Sequence, residues 1–234
     1  MAAAPSGIPR ELARERATLI SNLHYALKFT LTAGASTTIG EEDLQFQLKE
    51  VRSLLLDYRG VVASLEINGH AASFQHENGH LVLTADELHV GENKIHVTFT
   101  SVIAPAGAAI TSYKDHDDLS EYIYTLFVPM DASMAFPCFD QPDLKGKFHL
   151  TVEAPKDWTV ISNTALDVPA SNRMNRQLLE FPTRYSVFAE TEPIPTYLFA
   201  FAAGPFHKVH ETPGLPGVYV RQSQYEKAVD EVPE

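Results

Sequence analysis

Residues 76–80 read His76-Glu77-Asn78-Gly79-His80 and fit the pattern H-E-x-x-H. On a helix, two histidines four residues apart lie on one face and can share a zinc ion, while the glutamate between them activates a water. Asn78-Gly79 is a poor helix interior and a strong signal for a two-residue hairpin turn. We therefore expect a solvent-exposed hairpin tip here and no zinc catalysis.

Two further clusters contain side chains that could bind a cation. Residues 114–118 include three aspartates and a histidine, but they lack the glycine and the distal glutamate of a calcium loop, so we expect a solvated loop. His207 and His210 could share a metal on a helix. Pro205 and the alternation around Val209 instead predict a strand, which places the two histidines on opposite faces. We expect no metal site and no catalytic residue in this chain.

The composition narrows the classes of partner. The 234 residues are 44% hydrophobic and 21% charged, as in an ordinary globular protein of one large domain or two small ones. The net charge of −12 argues against nucleic acid and anionic membranes, because both select surfaces rich in Lys and Arg. No apolar run approaches the roughly 18 residues that cross a bilayer. We therefore expect a soluble protein without nucleic-acid or membrane partners.

The single cysteine and the first residues indicate in which cellular compartment the protein is expected. Cys138 has no second cysteine with which to form an internal disulfide, so a reducing compartment is favoured. Its neighbours Phe136 and Phe139 predict a small buried residue instead of a reactive thiol. Residues 1–7 lack the basic segment and apolar run of a signal peptide. The cytoplasm is therefore favoured over the periplasm or secretion.

Hydrophobic periodicity predicts the elements that position these residues. Pro9 suits the first turn of a short helix, and residues 11–16 are helix formers. Beyond this helix, apolar and polar residues alternate, as in strands with one buried face. The apolar positions of these runs are Tyr25, Leu27, Phe29 and Leu31; Leu44, Phe46 and Leu48; Ile95, Val97 and Phe99; and Phe148, Leu150 and Val152. Hairpin signals at Asn68-Gly69 and Asn78-Gly79 separate such runs. An all-β fold of antiparallel sheets, packed as a sandwich or a curved saddle, follows.

Residues 135–148 form the most distinctive stretch, with the run from Phe136 to Pro142 at its centre. The stretch closely resembles the R-x-F-P-C-F-D-[EQ]-P-x-x-K-A-x-F signature of the aminopeptidase N family, which are gluzincin zinc metallopeptidases. A match of this length is far more specific than a five-residue motif. Weaker similarity extends over nearly the whole chain, at residues 12–17, 20–25, 56–58, 67–69, 160–163 and 195–201.

The resemblance implies a fold, a missing partner and a division of the chain. In this family the region is a saddle-shaped, mostly antiparallel β domain that covers one side of the active-site cleft. The zinc helix and the G-x-M-E-N exopeptidase loop lie in the next, thermolysin-like domain. We therefore expect zinc and peptide hydrolysis in a longer parent protein, and neither in this chain alone. Residues 1–8 are expected to be disordered or foreign to the natural chain, residues 9–222 to form the β domain, and residues 223–234 to link it to the missing catalytic domain.

One substrate-binding segment of the family falls within this chain. The segment resembles T-Q-F-E-P-x-D-A-R-R and corresponds to residues 125–134 here. Its glutamate holds the free α-ammonium of the substrate, and Val128 occupies that position, while Leu126 replaces the glutamine. The resemblance implies that Leu126, Phe127 and Val128 line the first substrate pocket.

Val128 has a physical consequence for the expected substrate. An ammonium against Val128 would lose solvation without gaining a carboxylate partner. We therefore expect weakened or altered recognition of free N-termini. Three alternatives stay open: the exopeptidase-loop glutamate of the next domain holds the amine alone, Asp131 replaces the missing carboxylate, or the pocket belongs to a divergent subfamily and prefers apolar contact. The second hypothesis is a non-enzymatic relative that keeps the fold as a binding scaffold.

Overall fold

In a computed structural model, the chain is described over residues 4–176, 181–210 and 217–231. The helices are α1 (Arg10–Leu19), α2 (Val168–Asn175) and α3 (Tyr225–Glu231). The first strands are β1 (Ile20–Thr30), β2 (Thr37–Leu48), β3 (Leu54–Asp57), β4 (Val61–Ile67), β5 (His70–Ala71), β6 (Gln75–Glu77), β7 (His80–Leu83) and β8 (Gly91–Ala104). The remaining strands are β9 (Ile110–Lys114), β10 (Glu121–Thr125), β11 (Gly146–Pro155), β12 (Thr159–Ser162), β13 (Thr183–Val187), β14 (Phe201–Gly204), β15 (Phe206–His210) and β16 (Val218–Arg221).

One large sheet organises the described residues. Its strand order is β12-β14-β10-β9-β8-β2-β1-β11-β13, and β4 and β5 extend from β8. All pairings in this sheet are antiparallel except β1 with β11 and β8 with β9, which are parallel. Smaller sheets are formed by β3-β7-β6 and by β15-β16. The predicted all-β class is confirmed, although the large sheet is mixed instead of purely antiparallel.

The predicted alternation fixes which face of each strand is buried. Every apolar residue of the runs in β1, β2, β8 and β11 has its side chain in the core, while the residues between them are more exposed. At the centre of this core, the rings of Tyr25 and Phe148 stack at 4.8 Å, and those of Phe148 and Phe199 at 4.7 Å. Burying aromatic side chains in this way contributes much of the stability of a β domain.

Both predicted hairpin turns are confirmed. Asn68 and Gly69, which connect β4 to β5, have φ values of 53° and 81°. Asn78 and Gly79, which connect β6 to β7, have φ values of 53° and 83°. Positive φ at both central residues is the requirement of a type I′ turn, which Asn-Gly meets at the least steric cost.

The helices agree only in part with the sequence. α1 begins directly after Pro9, as predicted. α2 was not predicted, and it depends on the Asp167 side chain, which accepts a hydrogen bond of 2.9 Å from the backbone N–H of Ala170. α3 lies within residues 223–234, the expected link to the next domain, where the sequence carries a weak helical pattern from Gln224 on and predicts a linker or the start of a helix.

The expectation that residues 1–8 are disordered or foreign to the natural chain stays a prediction, although residues 4–8 are among those that the structure describes. Residues 4–8 lie against the β6–β7 hairpin, where the side chain of Asn78 donates to the carbonyl of Ala4 at 2.7 Å. Ala4 itself is buried. The predictions for residues 1–3 and 232–234 fall outside the described residues.

Candidate functional site

The loop that follows β10 presents an exposed apolar face. The side chains of Leu126 and Val128 are 59% and 56% exposed. Phe127, between them, points the opposite way and is only 1% exposed. Its ring packs against Phe136 and Phe199, with centroid distances of 5.8 and 6.3 Å. Of the three side chains predicted to line a substrate pocket, the structure therefore makes two accessible, and it uses Phe127 to attach the loop to the core.

Arg59 fixes the far end of the same loop. Its Nη2 donates to the carbonyl of Met130 and to Oδ1 of Asp131, both at 2.9 Å, and its Nε donates to Oγ of Ser133 at 3.2 Å. The backbone N–H of Arg59 also donates to the carbonyl of Ser133 at 2.7 Å. A planar guanidinium that spans three residues in this way restricts the loop in more than one direction.

The pairing with Arg59 changes the role available to Asp131. Asp131 is the only acidic residue between positions 124 and 134, and its carboxylate already faces the Arg59 guanidinium at 2.9 Å. A ligand ammonium at this loop would have to compete with that cation. The alternative ammonium partner proposed from the sequence is therefore already engaged.

Asp140, in the signature stretch, connects the loop to the core through two hydrogen bonds. Its Oδ2 accepts a hydrogen bond of 3.0 Å from the backbone N–H of Ser133, and its Oδ1 accepts one of 2.8 Å from Oγ1 of Thr196. Burial raises the pKa of the Asp140 carboxyl, although these hydrogen bonds oppose the rise. Asp140 of the signature thus attaches Ser133, which follows the candidate loop, to the core next to Thr196.

A buried ion network joins the signature to the first helix. The Arg16 guanidinium donates to both oxygens of Asp57 at 2.6 and 2.8 Å, and the backbone N–H of Asp140 donates to Oδ2 of Asp57 at 2.9 Å. His80 Nδ1 lies 2.7 Å from Oδ1 of the same carboxylate. Burial by itself raises the pKa of Asp57, but His80, Arg16 and the Asp140 backbone together hold that pKa below its ordinary value.

The H-E-x-x-H residues lie on strands, so they do not form a zinc site. His76, Glu77 and Asn78 are exposed, as predicted for a hairpin tip, whereas His80 is only 2% exposed and departs from that expectation. Its Nδ1 contacts Asp57, and its Nε2 lies 3.0 Å from the carbonyl of Gly7. His76 Nε2 lies 2.8 Å from the carbonyl of Tyr58. With both ring nitrogens of His80 occupied, His76, Glu77 and His80 do not fit a zinc ion.

The other candidate clusters also prove structural. Lys114, His116 and Asp117 are exposed, as predicted for a solvated loop. Asp115 is the exception, because it is 2% exposed and accepts hydrogen bonds from Arg221 and Ser223. His207 and His210 lie in strand β15, as predicted. Cys138 is a free, fully buried thiol, as predicted. Within the described residues, no group of three or more His, Cys, Asp and Glu side chains could hold a metal ion.

Glu42 is the unusual residue that the sequence reasoning missed. It lies in the middle of β2 with its side chain in the core, and neither carboxylate oxygen has a hydrogen-bond partner within the described residues. Burial raises the pKa of Glu42 well above its ordinary value. Glu42 lies two residues before the buried Leu44 and four before the buried Phe46. This period of two was the signal in the sequence that the Glu42 side chain faces the core.

Taken together, the fold and the loop define a mainly antiparallel β domain that presents an apolar surface without a metal centre in its described residues. Comparison with known proteins agrees with this description. The family model of the Peptidase M1 N-terminal domain matches residues 21–198. The chain therefore belongs to the Peptidase M1 N-terminal domain family.

Individual relatives are consistent with that membership. Aminopeptidase N from Streptomyces lividans is 29% identical over 228 residues, which cover 93% of this chain and 25% of that protein. Aminopeptidase 2 from Candida albicans is 27% identical over 229 residues, which cover 86% of this chain and 24% of that protein. The chain thus spans about a quarter of the length of these curated relatives.

A solved structure shows the same fold. Native leukotriene A4 hydrolase from Saccharomyces cerevisiae superposes with a TM-score of 0.73 at 19% sequence identity, covering 92% of this chain and 33% of that one. Separately, no helix among the described residues is both long and apolar enough to cross a membrane.

Proposed function

We propose that this chain is the substrate-facing N-terminal domain of a longer zinc aminopeptidase, which removes N-terminal residues from peptides. The observation that carries the proposal is the exposed apolar pair Leu126 and Val128 on a loop held by Phe127, Arg59 and Asp140. Membership of the Peptidase M1 N-terminal domain family and the greater length of the related aminopeptidases support it.

In this proposal the chemistry is divided between two domains. The zinc ion, with the water that it activates, belongs to a catalytic domain that follows residues 9–222 in the longer protein. The present domain forms one wall of the cleft and contributes the apolar surface of Leu126 and Val128. It supplies no zinc ligand, because the H-E-x-x-H residues are committed to the hairpin.

The loop favours apolar contact over binding of a free ammonium. Val128 has no acceptor for an N–H group, and the carboxylate of Asp131 is paired with Arg59. Losing a desolvated carboxylate partner costs roughly 2–5 kcal/mol in comparable interfaces. By contrast, covering an apolar side chain such as Leu126 contributes up to about 1.5–3 kcal/mol. The proposed enzyme therefore recognises the first side chain of a peptide more than its terminal amine at this wall.

One observation favours a second candidate function. Without a carboxylate at position 128, the wall lacks the group that the resemblance assigns to substrate anchoring. A family member that has lost catalysis and keeps this domain as a binding scaffold has no need for that group. Hydrolysis by the full-length protein distinguishes the two candidates, because a scaffold does not turn over peptide substrates.

The proposal is tested by restoring the carboxylate in the full-length protein. Val128→Glu should raise kcat/KM for aminoacyl-arylamides with a free amine about tenfold or more, since 1.4 kcal/mol of new ion pairing is a factor of ten. Val61→Glu is the matched control, because Val61 is 67% exposed on β4, outside the candidate loop. Equal kcat/KM values in Val128→Glu and the natural protein would contradict a substrate contact at this position.

A further inference from the structure

Asp115 lies at the end of β9 and ties the C-terminal residues of the chain to the large sheet. Its Oδ2 accepts hydrogen bonds from Nη1 of Arg221 at 2.8 Å and from Oγ of Ser223 at 2.9 Å. Its Oδ1 accepts a hydrogen bond of 2.9 Å from the backbone N–H of Asp117. The buried carboxylate of Asp115 thus has three donors, one of which is a guanidinium, and charge-assisted hydrogen bonds of that kind are roughly twice as strong as neutral ones.

Two tyrosines of the sheet complete the same contact. Nη1 of Arg221 also donates to the hydroxyl of Tyr113 at 2.7 Å, and the guanidinium carbon lies 5.2 Å from the centroid of that ring. The backbone N–H of Gln222 donates to the hydroxyl of Tyr122 at 2.9 Å. We call Asp115, Tyr113, Tyr122 and Arg221 the exit anchor.

The exit anchor matters because strand pairing does not attach this part of the chain. β15 and β16 pair with each other, and among the described residues neither pairs with a strand of the large sheet. Other attachments are a hydrogen bond of 3.1 Å from Thr159 Oγ1 to the carbonyl of Phe206, and the ring of Phe206 at 4.9 Å from that of Tyr122. The Arg221–Asp115 contact is an ion pair, with Nη1 2.8 Å from Oδ2, and a 3-10 turn over Gln222–Gln224 connects Arg221 to α3.

The same strand connects the exit anchor to the candidate loop. Tyr122 lies on β10, and Leu126 follows four residues later, about 13 Å away along an extended chain. Any displacement of the C-terminal residues relative to β10 is therefore also a displacement relative to the apolar loop.

We propose that Asp115 is a positioning residue that fixes the direction in which the chain leaves this domain. In the longer protein it would thereby set the placement of the following domain against Leu126 and Val128, which rests on the proposed function. Asp115 does not touch the substrate in this proposal, and it acts through Arg221 and Ser223.

The anchor itself is tested on the 234-residue chain by hydrogen–deuterium exchange of residues 217–231. Asp115→Ala should raise amide exchange in this stretch about tenfold or more, and leave the core strands β1 and β2 unchanged. Arg221→Lys should produce a smaller increase, because lysine keeps the charge and loses the planar fork. Asp86→Asn, an exposed aspartate far along the chain, is the charge-matched control.

Two results would overturn the anchor. One is unchanged exchange in residues 217–231 of a folded Asp115→Ala variant. If that variant fails to fold, Ser223→Ala and Arg221→Lys carry the test. Unchanged exchange in both of these variants is the other contradicting result.

The effect on the longer protein is measured by steady-state kinetics. Asp115→Ala should lower kcat/KM about tenfold, mainly through KM, because small misplacements of a substrate-facing group are costly. The conservative variant Asp115→Asn keeps an acceptor oxygen, so its kcat/KM should lie between the values of Asp115→Ala and the natural protein. If Val128→Glu changes kcat/KM and Asp115→Ala does not, the positioning role is wrong and the proposed function stands. If Val128→Glu has no effect, the proposed function fails whatever exchange shows for the anchor.

Discussion

Replacing Glu42 with glutamine or leucine should stabilise this protein at neutral pH. The Glu42 side chain is 0% exposed in the middle of β2, and both of its oxygens lack a hydrogen-bond partner within the described residues. Its cross-strand neighbours are Leu27 on β1 and Val97 on β8, and Leu44 lies next on the same face. All three neighbours are buried and apolar, so a charge at this position has no compensation for its lost hydration.

The pH dependence follows from the burial. Burial, with a smaller contribution from Asp43, raises the pKa of Glu42 well above its ordinary value of 4.5. The folded protein therefore keeps a proton that the unfolded chain releases above about pH 4.5. Between the unfolded and folded pKa values, the free energy of unfolding falls by about 1.4 kcal/mol for each pH unit. Below that window Glu42 has no effect on the pH dependence.

Two variants separate the charge from the unpartnered oxygens. Glu42→Gln keeps the shape and does not titrate, so it should gain about 1.4 kcal/mol over the natural protein for each pH unit inside the window. Glu42→Leu also removes two unpartnered buried oxygens, which adds about 1–3 kcal/mol at every pH. Glu41→Gln is the control, because Glu41 is half-exposed and paired with Lys28 at 2.8 Å.

The assay is guanidinium chloride unfolding from pH 4 to pH 9, followed through the fluorescence of the single tryptophan, the buried Trp158. The difference in unfolding free energy between Glu42→Gln and the natural protein should grow with pH and vanish near pH 4. The same pH slope in both proteins would contradict a raised pKa for the Glu42 carboxyl in the folded state. A Glu42→Leu variant that is less stable than the natural protein at pH 7 would contradict a destabilising effect of the buried carboxyl.

The remaining predictions concern Phe127 and Leu126 of the candidate loop and the buried ion network at Asp57. Phe127→Ala should lower the free energy of unfolding by about 3–5 kcal/mol, because it empties the space against Phe136 and Phe199. Leu126→Ala, on the exposed side, should change it by less than about 0.5 kcal/mol in the same denaturation assay. The lowered pKa of Asp57 adds stability above its unfolded pKa of 3.8, and this stability is lost as the pH falls through the folded pKa. Asp57→Asn should therefore weaken the acid sensitivity of unfolding between pH 2 and pH 5, and cost about 3–5 kcal/mol at neutral pH because Arg16 is left without its counter-charge. An unaltered acid transition in Asp57→Asn would contradict this assignment.

Local pattern was sufficient to predict the strands and both hairpins. The period of two in β1 and β2 reports burial directly, because successive side chains of a strand point to opposite faces. Asn68-Gly69 and Asn78-Gly79 specify their turns because few other pairs adopt positive φ twice in succession. These signals lie within a few residues of one another, so folding elsewhere does not alter them.

The polar contacts that shape the site depend on residues far apart in sequence. Arg16 and Asp57 are 41 positions apart, and Asp115 and Arg221 are 106 apart. No local pattern distinguishes the buried Asp115 from the acidic residues around it. The engagement of Asp131 by Arg59 was hidden for the same reason, since the two residues meet only when the β3–β4 connection reaches the loop.

The resemblance identified the candidate loop but not the direction of each side chain. Leu126, Phe127 and Val128 are consecutive, and an extended chain must turn the middle residue away from its neighbours. Only packing decides which side faces the core, and here the rings of Phe136 and Phe199 bind Phe127.

We propose that this chain is one wall of a peptidase whose zinc and catalytic groups belong to another domain. The most direct test measures bound zinc and hydrolysis of aminoacyl-arylamides for the 234-residue chain and for the full-length protein side by side. We expect zinc and turnover in the full-length protein, and neither in the 234-residue chain. Stoichiometric zinc in the 234-residue chain, lost in His76→Ala, would contradict it, as would hydrolysis by that chain alone.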